Sequence, residues 1–81
     1  MDAHEPRPGR YRHFKGKEYE VLGVVRHSET LEELVLYRAL YGERGLWVRP
    51  REMFLQTVER DGYRGPRFAW LGPVQEVSTN G

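Results

Sequence analysis

The chain has 81 residues, a length that allows one domain near the lower limit for unaided folding. It contains no cysteine, which excludes disulfides and thiolate metal sites, and its net charge of +1 gives no overall indication of a polyanionic partner. No apolar run approaches the roughly 20 residues of a membrane span, and the N-terminus lacks the apolar region of a signal peptide. These features predict a cytoplasmic protein without a metal or cofactor, and favour a binding module over an enzyme.

The two ends of the chain differ in composition from its middle. Residues 1–8 are polar and rich in proline, without periodicity, and residues 72–81 follow the last apolar run. Such segments are typical of mobile termini. We therefore predict a flexible leader at 1–8, a single domain at 9–71 and a flexible tail at 72–81.

A basic stretch runs from residue 7 to residue 17 and contains no acid. Aromatic residues are interleaved with its cations, a pattern that suits contacts with phosphates and bases. A simpler interpretation is a solvated strand whose charges are balanced by the six acids of residues 18–43. The predicted basic patch consists of Arg7, Arg10, Arg12, Lys15 and Lys17.

The first half of the domain alternates in the manner of β-strands. A short strand is predicted in "GRYRHFKG", which ends in a glycine turn, and a second in the β-branched "EYEVLGVVRHS". Gly23 interrupts the second strand. A glycine inside a strand indicates a bulge or a close backbone approach.

Residues 30–41 permit two interpretations. Thr30 and Glu33 form a capping box, which favours a helix, but Arg38 interrupts the apolar stripe that this helix would need. As a strand, "LVLYRALY" has two largely apolar faces, and a following "GERG" turn favours an antiparallel hairpin. We predict a strand and retain a helix from 30 to 41 as the alternative.

The second half of the domain contains further short elements. We predict a strand in "LWVRP" that Pro50 terminates, one helical turn in "REMF", a strand in "LQTVERDG" that ends in a hairpin turn, and a last strand in "PRFAWL". The predicted fold is mostly β: a small antiparallel SH3-like barrel of five or six short strands with at most one short helical turn.

Several of these segments together resemble a bacterial domain-of-unknown-function family, number 1653. The resemblance rests on "YRHFKG", "YEVLGVVRHSET", "LVLYRALYG", "LWVRP" and "EMF", in this order. It extends from about Tyr11 to Val58 and, more weakly, to Leu71. It implies a small β-rich module and carries no assigned activity.

The leading functional hypothesis is a binding face formed by aromatic and basic side chains. A partly exposed Trp beside an Arg offers a stacking surface and a forked donor for phosphate or carboxylate. Leu46 and Val48 would then face the core, whereas the alternative places Trp47 in the core. The predicted ligand-binding residues are Tyr11, His13, Tyr37, Trp47 and Arg49.

The ligand expected at this face is single-stranded nucleic acid or a nucleotide, with a protein partner as the alternative. A small enzyme that uses His27, oriented by Glu29, is a further alternative. No nucleophile or phosphate-binding loop accompanies this pair, and the histidine is as readily explained as a hydrogen-bonded residue at the end of a loop. A third possibility is an accessory domain that associates only with itself or with another chain.

Overall fold

The computed structural model describes residues 5–74. Its elements, in chain order, are β1 (Gly9–His13), β2 (Glu18–Arg26), β3 (Glu33–Ala39), β4 (Leu46–Pro50), α1 (Arg51–Phe54), β5 (Thr57–Arg60), β6 (Tyr63–Pro66) and β7 (Phe68–Gly72). Within this range no helix is long and apolar enough to cross a membrane. Of the predicted leader and tail, residues 1–4 and 75–81 lie outside the described residues.

The fold is mostly β, but its main sheet does not close. Five strands form an antiparallel sheet in the order β4-β3-β2-β1-β7, while β5 and β6 pair only with each other. The described part of the chain therefore contains seven strands rather than five or six, and the predicted SH3-like barrel is not confirmed. The chain leaves β4 through the turn of α1, and its next two strands form a separate hairpin, so β4 and β7 remain sheet edges.

The segment 30–41 forms strand β3, which confirms the strand and excludes the helix. Val35, Tyr37 and Ala39 are buried, and the residues between them are only partly buried. This period of two matches a strand with one side on the core. Arg38, which interrupted the helical stripe, lies on the less buried side.

Two local features follow from backbone chemistry. The register between β2 and β3 shifts between Val21 and Gly23, which confirms the predicted irregularity at that glycine. The β5–β6 hairpin turns at Asp61 and Gly62, both with positive φ (54° and 81°), as a two-residue hairpin loop requires.

Strand β6 was not predicted, because "YRGP" combines only one β-favouring residue with a glycine and a proline.

A compact aromatic cluster forms the core on one side of the main sheet, here called the inner face. Phe54 of α1 packs on this face, and its ring stacks on that of Phe68 with centroids 4.1 Å apart. A one-turn helix is not stable in isolation, so this buried ring fixes α1 to the sheet. The cluster consists of Tyr11, Val21, Val35, Tyr37, Phe54 and Phe68.

The main sheet is strongly curved around this core. The guanidinium carbon of Arg49 on edge strand β4 lies 5.6 Å from the ring centroid of Phe68 on the opposite edge strand, β7. In a flat sheet of five strands these edges would be about 19 Å apart, at about 4.8 Å per strand spacing. The inner face is therefore concave, and side chains from both edges meet across it.

Candidate functional site

Arg49 lies on the concave inner face with its charge unpaired by any acid of residues 5–74. The register places it opposite the buried Val35, so its side chain projects to the core side of the sheet. Its Nε lies 3.5 Å from the Tyr37 hydroxyl, and its guanidinium lies over the Phe68 ring. No described carboxylate approaches it within 4.0 Å. Arg49 is thus a half-buried cation that lies over the Phe68 ring and beside the Tyr37 hydroxyl.

His13 packs against the same Phe68 ring as Arg49, and Arg67 directly precedes Phe68 in the chain. The His13 ring packs edge-on against Phe68 with centroids 4.9 Å apart, and its Nδ1 accepts the Lys15 amide at 3.1 Å. Burial, and then the charges of Arg49, Arg67 and Lys15, lower the pKa of His13 below its ordinary value. Burial and the neighbouring positive charges thus both favour the neutral form of the imidazole.

Arg67 has a donor that is not satisfied within the described residues. One of its terminal nitrogens donates to Oε1 of Gln56 at 3.1 Å, but its Nε is buried without a hydrogen-bond partner. Buried polar groups of this kind ordinarily have a partner. We refer to His13, Arg49 and Arg67 together as the basic cluster.

Trp47 provides an exposed aromatic surface beside the basic cluster. It lies opposite Tyr37 on the inner face, yet 58% of its surface is exposed, and it makes no ring contact with another described residue. The expectation that Leu46 and Val48 would face the core is wrong. They alternate with Trp47 on the other side of β4 and are both 53% exposed.

Tyr11 and Tyr37 lie beneath the surface that they were predicted to border. Only 5% and 6% of their surfaces are exposed, and both belong to the core cluster. The Tyr11 hydroxyl donates to the carbonyl of Arg7 at 2.8 Å. Burial is the main cause that raises the pKa of Tyr11 to about 12. Of the five predicted residues, the structure brings His13 and Arg49 together, leaves Trp47 exposed nearby and buries the two tyrosines.

Two tyrosines that were not predicted as site residues extend the aromatic surface. The hydroxyls of Tyr19 and Tyr41 are 2.9 Å apart, and the Lys17 ammonium lies 4.3 Å from the centroid of Tyr41. Burial, together with the hydrogen bond to Tyr41, raises the pKa of Tyr19 to about 12. The alternation of Tyr19 with Val21 in "EYEV" is the sequence signal that places its ring on the inner face.

The predicted basic patch is divided among several places. Glu18 binds both Arg10 and Arg12, at 2.8 and 2.9 Å, and these bonds hold the pKa of Glu18 below its usual value. The guanidinium of Arg7 lies 4.1 Å from the ring centroid of Trp70. Lys15 and Lys17 lie at the turn between β1 and β2 and form no ion pair with a described acid. Their ammonium groups lie over the rings of Phe14 and Tyr41, respectively.

The Arg7–Trp70 pair borders a cleft of about 290 Å³. Four of its eight lining residues are aromatic. One of them, Phe68, is also the ring over which the Arg49 guanidinium lies. The Trp70 ring also lies against Gly9, where a Cβ would come within 2.5 Å of it. The cleft is lined by Glu5, Arg7, Tyr11, Phe54, Leu55, Pro66, Phe68 and Trp70.

His27 organises the loop between β2 and β3. Its Nδ1 accepts the backbone amides of Glu29 and Thr30, at 3.1 and 3.2 Å, and lies 3.7 Å from the Glu29 carboxylate. That nitrogen is thus already occupied. Nor do three or more His, Asp or Glu side chains of residues 5–74 converge in a way that would hold a metal ion.

Comparison with known proteins identifies relatives of the chain. The profile of the DUF1653 family, described as a protein of unknown function, matches residues 9–70. A crystal structure of a DUF1653 protein from Bordetella bronchiseptica is 39% identical and superimposes with a TM-score of 0.80, covering 89% of this chain and 95% of that one. A search of curated proteins found no significant match.

Proposed function

The chain belongs to the DUF1653 family, and we propose that it is a non-enzymatic module whose concave inner face binds single-stranded nucleic acid or nucleotides. The observation that carries this proposal is the basic cluster. The Arg49 guanidinium lies over the Phe68 ring, and no described carboxylate lies within ion-pairing distance of Arg49 or Arg67. A concave aromatic surface with a few convergent polar groups is the usual form of a ligand site.

In this proposal each side chain has a distinct part. Arg49 donates two parallel N–H hydrogen bonds to a phosphate, because the planar guanidinium matches the geometry of two phosphate oxygens. Arg67 supplies the second cation, and its buried Nε supports the presence of an acceptor that is not among the described residues. Trp47 stacks on a base, an interaction worth about 1–3 kcal/mol per base.

A protein partner is the second candidate, favoured by a different observation. The side of the sheet opposite the core, here called the outer face, carries exposed apolar side chains on β2 and β4, among them Val25, Leu46 and Val48. Contiguous exposed apolar patches mark interaction sites. The enzymatic alternative has less support, because Nδ1 of His27 already accepts two backbone amides.

Fluorescence anisotropy of labelled single-stranded RNA and DNA tests the leading proposal. We expect saturable binding that weakens as salt rises, because phosphate contacts release counterions. Arg49→Gln is expected to weaken binding roughly tenfold to a hundredfold, from the loss of a charged hydrogen bond worth about 1.5–3 kcal/mol. It should also lower the slope of log K against log salt by about 1.

Arg64→Gln is the matched control, since it removes one exposed arginine from the separate β5–β6 hairpin. Equal losses of affinity in Arg49→Gln and Arg64→Gln would indicate nonspecific electrostatic attraction of the nucleic acid and contradict a site at Arg49. An absence of binding at low salt would overturn the proposal and favour the protein partner.

A further inference from the structure

Strand β4 is an open edge of the main sheet. The Ala39 amide donates to the Gly45 carbonyl at 3.0 Å, and the same register continues along the β3–β4 pair. Because hydrogen-bonded and non-hydrogen-bonded pairs alternate in an antiparallel ladder, the backbone groups of Trp47 point toward β3, and those of Leu46 and Val48 point away from it. No backbone group among residues 5–74 pairs with them.

The side chains of this edge do not protect it. Leu46, Trp47 and Val48 are each more than half exposed. Edge strands are commonly guarded by charged residues, lysine above all, or by an inward-pointing charge. The only charge on β4 is the inward-pointing Arg49, whose guanidinium lies over Phe68 on the inner face and leaves the outward backbone groups of Leu46 and Val48 uncovered. An unpaired apolar edge of this kind is a template for another strand.

A second copy of β4 is complementary to this edge. In an antiparallel pair centred on Val48, each Val48 lies opposite the partner's Val48, and Leu46 lies opposite the partner's Pro50. Trp47 then lies opposite the partner's Arg49 on the inner face, where the ring can pack on the aliphatic part of that side chain while the guanidinium stays over Phe68. Only Pro50, at the end of the strand, lacks an amide, so the amides of Leu46 and Val48 all find acceptors.

From this complementarity we infer that the chain forms a twofold-symmetric dimer in which β4 pairs antiparallel with β4 of a second copy. The two main sheets then form one continuous sheet of ten strands. The exposed valines and leucines of the two outer faces meet at the twofold axis, and the two concave inner faces lie side by side. This inference rests on the open backbone edge of β4 and does not require the proposed ligand, although Trp47 and Arg49 take part in both.

The absence of cysteine from the chain permits a direct test by cross-linking. In the dimer the two Val48 residues form a hydrogen-bonded pair with Cα atoms about 5.5 Å apart, within the range of about 4.4–6.8 Å that a disulfide spans. Val48→Cys should therefore form a disulfide-linked dimer in a glutathione redox buffer. Glu59→Cys, an exposed position on the β5–β6 hairpin, is the matched control and should remain mostly monomeric.

Sedimentation equilibrium of the unmodified chain provides a second measurement. We expect a monomer–dimer equilibrium that Val48→Lys weakens about tenfold or more, because two like charges would then lie directly opposite each other. The substituted side chain is exposed in the single chain, so circular dichroism should show an intact fold. A wild-type chain that stays monomeric at every concentration, together with equal cross-linking of the two cysteine variants, would overturn the dimer.

Discussion

Tyr11 shows how one side chain couples burial, hydrogen bonding and pH dependence. Its pKa is raised to about 12, against about 10 for an unperturbed tyrosine, so the folded state holds the proton more tightly than the unfolded state. The resulting stability is complete below about pH 10 and is lost as the pH rises toward the folded-state pKa. Tyr11→Phe should therefore show a shallower alkaline loss of stability, measured by urea unfolding across pH.

The same substitution removes the bond to the Arg7 carbonyl, at an expected cost of about 0.5–1.5 kcal/mol at neutral pH. Tyr63→Phe is the matched control, because it also removes a hydroxyl that donates to a backbone carbonyl, that of Pro66, but from an exposed ring. Tyr63→Phe should lower the free energy of unfolding by less than Tyr11→Phe does. An unchanged alkaline profile in Tyr11→Phe would contradict the assignment of that titration to Tyr11.

Single residues also define the limit of the sequence-based prediction of the site. The sequence predicts His13 and Arg49 on one face with aromatic residues, and both pack against Phe68 in the structure. It also places Tyr11 and Tyr37 at the surface, whereas they are buried in the core. Alternation along a strand tells which residues share a face, not which face is covered. That depends on α1, whose Phe54 covers both tyrosines.

At the scale of elements, α1 acts as an anchor for the core. Phe54→Ala removes a buried ring that packs against Tyr11, Tyr37 and Phe68, so we expect a loss of about 3–5 kcal/mol in the free energy of unfolding. The exposed Met53 is the matched control on the same turn, and Met53→Ala should change stability by no more than about 0.5 kcal/mol. Urea unfolding measures both, and equal effects would contradict the anchoring role.

Most elements were predictable because their patterns are local. The β-branched run of β2, the bulge at Gly23, the alternation in β3 and the turn at Asp61 and Gly62 all follow from short-range chemistry. Strand β6 escaped prediction because its four residues form a strand only through pairing with β5. Its stability comes from the hairpin and not from its own composition.

At the scale of the molecule, the closure of the sheet was not predictable from local patterns. A series of short strands with turns between them fits both a closed barrel and a curved sheet with two open edges. What separates them is whether distant segments pair, and here β5 and β6 pair with each other and leave β4 open. The curvature brings Arg49 over Phe68 and so creates the basic cluster from residues far apart in the sequence.

The proposal that this curved inner face binds nucleic acid is tested most directly by an amide NMR titration of the labelled domain with short single-stranded RNA and DNA, at low and moderate salt. We expect saturable, salt-sensitive shifts that cluster around His13, Trp47, Arg49 and Arg67 and that are reduced in Arg49→Gln. An absence of shifts at low salt, or shifts confined to the outer face, would contradict the account.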